Sequence, residues 1–330
     1  MNPLDRKTLG STGLEVTRLG LGCAPLGGMY GDISEEQATE VVQRALALGL
    51  NLIDTAPLYG SGKSEKRVGA GVKGVARDSY ILATKVGRVL EPAEAGDDRG
   101  QGIFENPPPF KPVFDFSYDG VMRSVEESLA RLGVDRIDIL HIHDPDDHYQ
   151  EAIDGAYPAI DGLRSQGVIR GVSAGMNQWE MLARFAREGD FDCFLLAGRY
   201  SLLEQDALDE LLPLCVEKNI GIMAGGTYNS GILAKGAVRG AKYNYADAPS
   251  HIIDKARQLM AVADRHAVDI KAAASQFALA HPAITCIVPG TRNPDRVSEN
   301  FELLGQSIPA DFWEELRAEK LIRDDAPVPD

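Results

Sequence analysis

Four polar side chains in this sequence have the types and spacing to move a proton: Asp54, Tyr59, Lys85 and His143. Asp54 ends the short run NLID at 51–54, and Tyr59 follows five residues later. Lys85 lies near the end of 79–86 (SYILATKV), and His143 comes just past 137–142 (IDILHI). Tyrosine with a nearby lysine is an acid–base pair, because the ammonium favours the phenolate. A carboxylate at Asp54 would keep that lysine charged and oriented. His143 could donate a hydrogen bond to a substrate oxygen. The competing reading is that each is an ordinary polar residue at a strand end.

Two other patterns compete with this set. Gly60-Ser61-Gly62-Lys63-Ser64 follows a strand and precedes a helix, as the end of a phosphate-binding loop does. The full pattern needs a glycine at position 57, and the chain has Pro57, which has no N–H for a phosphate. His141-Ile142-His143, with Asp144, Asp146, Asp147 and His148, has the composition of a metal site in a barrel hydrolase. No second histidine cluster follows it, since His251, His266 and His281 are isolated. The acidic run after His143 reads more simply as a solvated loop, and no metal is expected.

A dinucleotide would need its own site. No Gly-x-Gly-x-x-Gly lies between a strand and a helix, so the Rossmann arrangement is absent. The stretch 288–300 (VPGTRNPDRVSEN) offers another route, a Gly-Thr-Arg turn running into a helix that presents Arg296. Backbone N–H groups at a helix start, joined by an arginine, suit a phosphate. Taken alone, the stretch reads more readily as an ordinary helix start with a surface arginine.

The elements that must carry these residues alternate along the whole chain. Strand-like runs fall at 16–21, 51–54, 79–86, 137–142, 168–172, 193–197, 220–224 and 284–288. Helical spacing fills the intervals. One helix opens on a capping-box pattern from Ser34 to Gln37 and continues with Ala38, Val41, Val42 and Ala45 on one face. Another covers 118–132 and stops at Gly133. Eight strand–helix units without a linker predict a closed (β/α)8 barrel over 1–330 as one domain. RKTLGSTGLEV reads as a β-hairpin ahead of the barrel, and 310–321 as an extra C-terminal helix. Residues 88–117, with Pro107, Pro108 and Pro109, read as a long loop over the mouth where barrel active sites lie.

Acidic residues outnumber basic ones, 49 to 34, giving a net charge of -15. Such a surface repels a phosphate backbone, so nucleic acid is not an expected partner. The four cysteines, Cys23, Cys193, Cys215 and Cys286, form no Cys-x-x-Cys pair and read as buried thiols of a reducing compartment. The opening MNPLDRKTLGSTG has no apolar core, and no run of about 18 apolar residues occurs. The expectation is a cytoplasmic protein with no membrane partner. No feature of the sequence sets an oligomeric state.

Together these motifs resemble the aldo-keto reductases across nearly the whole chain. LIDTAPLYGSGKSEKRVG is similar to that family's Asp-Thr-Ala-x-x-Tyr-Gly signature. Leu82-Ala83-Thr84-Lys85 resembles its lysine strand, and 138–143 (DILHIH) the strand that ends in its catalytic histidine. Residues 288–300 resemble its cofactor-phosphate segment. The resemblance implies an NAD(P)-dependent oxidoreductase with Asp54, Tyr59, Lys85 and His143 as its catalytic tetrad. It places Gly22 and Cys23 near the nicotinamide, and Ser173 and Asn177 at its amide. It places Ser230, Gly231 and Leu233 along the pyrophosphate, and Gly290, Thr291, Arg292, Arg296, Glu299 and Asn300 around the cofactor phosphate.

Within the family, DFSYDGVMRSVEESLARLGVDRIDIL, HDPDDH and AGMNQ resemble the bacterial D-threo-aldose 1-dehydrogenase (L-fucose dehydrogenase) group. That implies a small-molecule substrate, an aldopyranose oxidised at its hemiacetal carbon to a lactone. Pyridoxal 4-dehydrogenases and plant L-galactose dehydrogenases are similar too, so a pyridoxal dehydrogenase or a general aldehyde reductase is the alternative. From other classes stand a metallohydrolase barrel and a non-catalytic cofactor-binding subunit, which would have no need of Tyr59. Several positions depart from the family pattern. Ala174 and Ala197 replace the common Asn and Gln at the nicotinamide amide. Gly225 stands where a stacking aromatic is common, with Tyr228 nearby, and Gly290 stands where a lysine often meets the 2′-phosphate. Arg296 persists, which favours NADP slightly over NAD.

Overall fold

The computed structural model describes residues 1–29, 31–99, 103–238, 240–244 and 246–329. In chain order the strands are β1 (Arg6–Thr8), β2 (Glu15–Thr17), β3 (Leu21–Gly22), β4 (Leu52–Asp54), β5 (Ile81–Val86), β6 (Arg88–Pro92) and β7 (Phe110–Phe114). They continue with β8 (Ile139–His143), β9 (Gly171–Met176), β10 (Cys193–Ala197), β11 (Gly221–Gly225), β12 (Lys242–Tyr243), β13 (Ala246–Asp247) and β14 (Ile284–Ile287). The helices are α1 (Glu35–Ala47), α2 (Lys63–Val72), α3 (Tyr118–Leu132), α4 (Tyr149–Glu151), α5 (Tyr157–Ser165) and α6 (Trp179–Glu188). After them come α7 (Leu211–Glu217), α8 (Ile232–Lys235), α9 (Ser250–Arg265), α10 (Ile270–Ala280), α11 (Pro294–Leu304) and α12 (Ala310–Ala318). A π-helical turn at Ala152–Ala156 joins α4 to α5.

Eight strands, β3, β4, β5, β8, β9, β10, β11 and β14, lie side by side in one parallel sheet. Parallel bridges from Leu19 to Ile287 and from Gly22 to Gly290 close the first strand onto the last. The fold is therefore a (β/α)8 barrel. Helices α1 and α3 form where the sequence periodicity places them. Ser34 caps α1 by accepting from the Gln37 amide, and Ala38, Val41, Val42 and Ala45 are its buried face. The reciprocal half of that capping box does not form, because the Gln37 side chain donates to the Arg292 carbonyl at 2.7 Å. Gly133, at φ 65°, ends α3 in the left-handed conformation that glycine adopts without strain.

The barrel interior sets up the site. Leu52, Ile81, Ala83, Ile139, Cys193, Leu195, Met223 and Cys286 form an apolar plug. Leu9 and Val16, from the β1–β2 hairpin, join it. Side chains alternate in and out along a strand, so the inward series two residues further on is fixed. After Leu52 comes Asp54, after Ala83 comes Lys85, and after Ile139 come His141 and His143. The interior is thus apolar towards the hairpin and polar at the C-terminal mouth.

Three expectations are corrected. The run 16–21 is not one strand: 15–17 pairs with 6–8 in the hairpin, and only Leu21–Gly22 enters the barrel. The fifth barrel strand is Gly171–Met176 and not 168–172, because Val168 is half exposed and belongs to the turn before it. The segment 88–117 is not a structureless loop. Residues 88–92 and 110–114 pair as an antiparallel hairpin, Arg88 opposite Phe114, although residues 100–102 at its centre lie outside the described residues.

Candidate active site

Asp54, Lys85 and His143 come from three adjacent strands, and the Tyr59 loop follows the first of them. Lys85 is 1% exposed. Its ammonium donates to both oxygens of Asp54, at 2.7 and 2.8 Å, and to the Thr55 carbonyl at 2.9 Å. Burial pushes the Asp54 carboxyl up, but the Lys85 charge, with help from His141, more than offsets it, and the pKa ends below the usual carboxylate value. The Lys85 ammonium also lies 5.0 Å from the centre of the Tyr59 ring. His143 meets that ring edge-on, with centres 5.8 Å apart. Burial, then the charges of Arg88 and Lys85, hold the His143 pKa well below the ordinary imidazole value.

The Tyr59 turn is fixed by close backbone contact. Gly60 takes φ 63°, and a Cβ there would lie 2.1 Å from the Gly27 carbonyl oxygen. The phosphate-loop mimic that follows is occupied by structural bonds. Ser64 Oγ donates to the Cys23 carbonyl at 2.7 Å, and Lys63 Nζ reaches Asp32 and the Glu105 carbonyl, each at 3.0 Å. Lys63 thereby helps tie 103–106 across to the segment after β3. Met29 bridges Phe104, and the Phe104 ring lies 6.1 Å from that of Tyr59.

His141 and Asp144 also lie here, although the spacing argument placed them only in the competing metal pattern, and Arg88 joins them from the segment expected over the mouth. His141 is fully buried, with Nδ1 2.7 Å from Ser173 Oγ and Nε2 facing Asp54 Oδ1 at 3.4 Å. Its burial lowers its pKa. The signal was the inward period of two that His141 shares with His143. Asp144 does not belong to a freely solvated loop. Its side chain is 27% exposed and meets Arg88 Nη2 at 3.3 Å and His143 Nε2 at 3.5 Å. Among the described residues no group of three or more His, Cys, Asp or Glu gathers to hold a metal.

The segments expected around a cofactor lie along the same mouth. The Gly22 amide donates to the Pro289 carbonyl, and the Cys23 amide to the Asp54 carbonyl, so both pack at the seam beside the tetrad. Ser173 is engaged by His141, and Asn177 Nδ2 donates to the Ala197 carbonyl at 3.0 Å. After β11 the chain turns through positive φ at Asn229, Ser230 and Gly231, with Leu233 buried beneath. The Tyr228 hydroxyl lies 3.1 Å from Ser275 Oγ and 3.0 Å from Asn300 Oδ1, which ties this turn to α10 and α11. Glu299 pairs with Lys271. Thr291 Oγ1 accepts from the Asn293 amide at 3.1 Å. A Cβ at Gly290 would lie 2.8 Å from Pro25 Cδ, so the position has no room for a lysine. Arg292 lies over Gly31. Arg296 is exposed in the first turn of α11 and makes no ion pair or side-chain hydrogen bond with another described residue. A helix start disfavours a cation, so a bare arginine there suits an anionic group that would sit beside it.

The sequence profile of the Aldo/keto reductase family matches residues 18–320. The chain belongs to the aldo-keto reductase family. Among its relatives is a Pyridoxal 4-dehydrogenase of Microbacterium luteolum, 40% identical over 96% of this chain and 98% of that one. A D-threo-aldose 1-dehydrogenase of a Pseudomonas species is 37% identical over 94% of this chain and 96% of that one. A holo-form aldo-keto reductase of Bacillus halodurans superposes with a TM-score of 0.77 at 26% identity, covering 99% and 98% of the two chains. This aldo-keto reductase is an NAD(P)-dependent oxidoreductase that acts on small molecules. No helix among its described residues is long and apolar enough to cross a membrane.

Proposed function

We propose that this enzyme oxidises C1 of an aldopyranose of the L-fucose type to the lactone, with NADP as the preferred cofactor. The observation that carries the chemistry is the Lys85 ammonium, held by both Asp54 oxygens and 5.0 Å from the Tyr59 ring. Tyr59, as phenolate, takes the proton of the anomeric hydroxyl as hydride leaves C1 and the lactone carbonyl forms. When bound, the nicotinamide supplies the acceptor for that hydride. Lys85 stabilises negative charge on the phenolic oxygen, and Asp54 keeps Lys85 charged and in place. His143, kept neutral by burial, offers an N–H to the substrate oxygen without adding a charge.

The remaining assignments are part of the same reading. Gly22 and Cys23 flank the nicotinamide, Ser173 and Asn177 face its amide edge, and the turn at Ser230, Gly231 and Leu233 follows the pyrophosphate. Gly290, Thr291 and Arg292 shape the phosphate turn, with Glu299 and Asn300 on the helix behind it. Arg296 reads the 2′-phosphate, the group that separates NADP from NAD. Its lack of a side-chain partner among the described residues supports the choice.

The sugar is favoured because the chain is 37% identical to a protein named for aldose oxidation and carries charged groups at its mouth. The 40% identity to a Pyridoxal 4-dehydrogenase favours pyridoxal as a second reading. Nicotinamide absorbance, followed with both cofactors against aldoses, pyridoxal and aromatic aldehydes, separates the two. The expected result is the highest kcat/KM for an aldopyranose. A higher value for pyridoxal replaces the substrate and leaves the roles of Tyr59 and Lys85 standing.

A further inference from the structure

Asp144 directly follows His143 and is a non-glycine residue at φ 40°. Aspartate tolerates the left-handed region better than most residues, but it is rarely found there without a reason. Its amide donates to the Gly175 carbonyl at 3.1 Å, which fixes the turn at the end of β8. The turn keeps the carboxylate at the mouth, with Oδ2 3.5 Å from His143 Nε2 and 3.3 Å from Arg88 Nη2. Arg88 comes from just past the neighbouring strand β5, where it opens the β6–β7 hairpin. It is 6% exposed, with its guanidinium 4.5 Å from the centre of the Phe114 ring.

This cluster is not complete among the described residues. Arg88 Nε and His143 Nδ1 are buried and have no hydrogen-bond partner among the described residues. A buried guanidinium nitrogen left unpaired costs free energy that structural packing alone would not select. The charges also balance. Asp54 neutralises Lys85, while Asp144 faces Arg88 with Asp146 close by. Beside the reacting oxygen, neither Lys85 nor Arg88 is therefore left as a surplus cation for a phosphate or carboxylate on the substrate. A neutral hydroxyl both donates and accepts, so it suits a site that presents one acceptor and one donor side by side.

We infer that Arg88 and Asp144 form a two-sided clamp for the hydroxyl on the carbon next to the reacting carbon. The clamp makes the enzyme selective for neutral 2-hydroxy substrates. This rests on the assignment of Tyr59 and His143 to the reacting oxygen. Asp144 Oδ2 is 3.5 Å from His143 Nε2, so a group held by Asp144 sits beside the oxygen that His143 meets. Phe114 keeps the Arg88 plane in place from behind. Asp144 and Arg88 are specificity-determining residues in this scheme, and the proton still passes through Tyr59.

The test compares the preferred aldopyranose with its 2-deoxy analogue, in the wild type and in Asp144→Asn. A contact between Asp144 and that hydroxyl makes the two deletions non-additive. The wild type should prefer the parent sugar by about 10- to 100-fold in kcat/KM, and Asp144→Asn should bring the preference within about threefold, with the loss mostly in KM. Arg88→Lys should show the same collapse to a smaller degree. Cofactor affinity by fluorescence certifies that each variant is folded. An unchanged preference in folded Asp144→Asn overturns the clamp, as does an equal loss on both sugars, which marks a purely structural role. If the wild type turns over no aldopyranose, the proposed substrate falls. The clamp then stands or falls on the same cycle run with glycolaldehyde and acetaldehyde in the reducing direction.

Discussion

The Lys85 ammonium lies 5.0 Å from the centre of the Tyr59 ring and is bound on its other side by both carboxylate oxygens of Asp54. The position of that charge is therefore set by Asp54, on a different strand from Lys85 and ahead of the loop that carries Tyr59. In the proposed reading, the tyrosine is the member of the trio that meets the substrate.

Tyr59→Phe removes the ionisable hydroxyl and keeps the ring between His143 and Phe104. We expect kcat to fall by about 10²–10⁴-fold, while cofactor affinity stays close to the wild-type value. Steady-state kinetics with fluorescence titration of the cofactor checks both. Retention of more than about a tenth of kcat would remove Tyr59 as the proton carrier.

Asp54→Asn leaves a buried ammonium with a neutral partner. Breaking one side of a buried pair costs about 3–5 kcal/mol, so a clear drop in denaturant midpoint should accompany the loss of activity. A double variant, Asp54→Asn with Lys85→Met, should recover part of the stability and none of the activity. Stability that fails to recover would mean that Lys85 and Asp54 are not coupled.

Arg296→Ala should weaken NADP binding more than NAD binding, because only NADP has the additional phosphate that a guanidinium can grip. Titration with both cofactors gives the two ratios. Equal losses would return Arg296 to the role of a surface residue.

Three buried histidines make stability depend on acid. Burial depresses the pKa of His141 and His143, and burial with the Lys7 charge brings His281 down to about 4. The unfolded chain protonates its histidines near pH 6.5 and the folded chain does not, so the unfolded state binds more protons below that pH. Stability present above pH 6.5 is lost as pH falls towards 4. Asp144 acts in the opposite sense over part of this window. Burial pushes its carboxyl up to about 6, so the folded state holds that proton more tightly. Burial raises the Glu204 carboxyl too, so it acts in the same sense as Asp144. Three histidines against two carboxyls leave a net loss, so Tm should fall between pH 7 and pH 5. His281→Gln, remote from the mouth, should flatten that fall. A profile as steep as the wild type's would show that His281 makes no contribution.

Asp144 also gives the hydroxyl clamp a pH dependence. The charged groups that bear on it are Arg88 and Lys85, which pull its pKa down, and Asp146, which raises it; His143, 3.5 Å away, stays neutral in this range. Below about pH 6 the carboxylate becomes an acid and loses its anionic acceptor, so KM for a 2-hydroxy substrate should rise there. The rise should be missing in Asp144→Asn. A KM that climbs equally in both proteins would place the titration elsewhere.

The gathering of Asp54, Lys85 and His143 was legible because they sit at the ends of strongly patterned strands, where the period of two fixes which side chains point inward. Lys85 follows Ala83, and His143 follows Ile139 and His141, by that rule alone. Strand limits were less legible where turns intervene. Val168 has strand-like chemistry but lies before the fifth strand. Asp144 looked like loop because its neighbours are acidic and polar, and only a left-handed backbone facing Arg88 makes it part of the mouth. The hairpin at 88–92 and 110–114 was hidden by its prolines, which fit an edge strand as well as a loop.

The ring closes at one seam, where Leu19 meets Ile287 and Gly22 meets Gly290. Lys7 reaches the carbonyls of Pro282 and Ile284, and Arg18 those of Leu279, Ile284 and Thr285, across the same junction. During synthesis the strands that carry Asp54, Lys85 and His143 leave the ribosome long before their closing partner exists. For that period β3 is an unpaired edge, a template for any strand that meets it. A chain truncated ahead of residue 284 should therefore associate with its own copies. The harm from such a nonsense mutation would come from aggregation as well as from lost turnover.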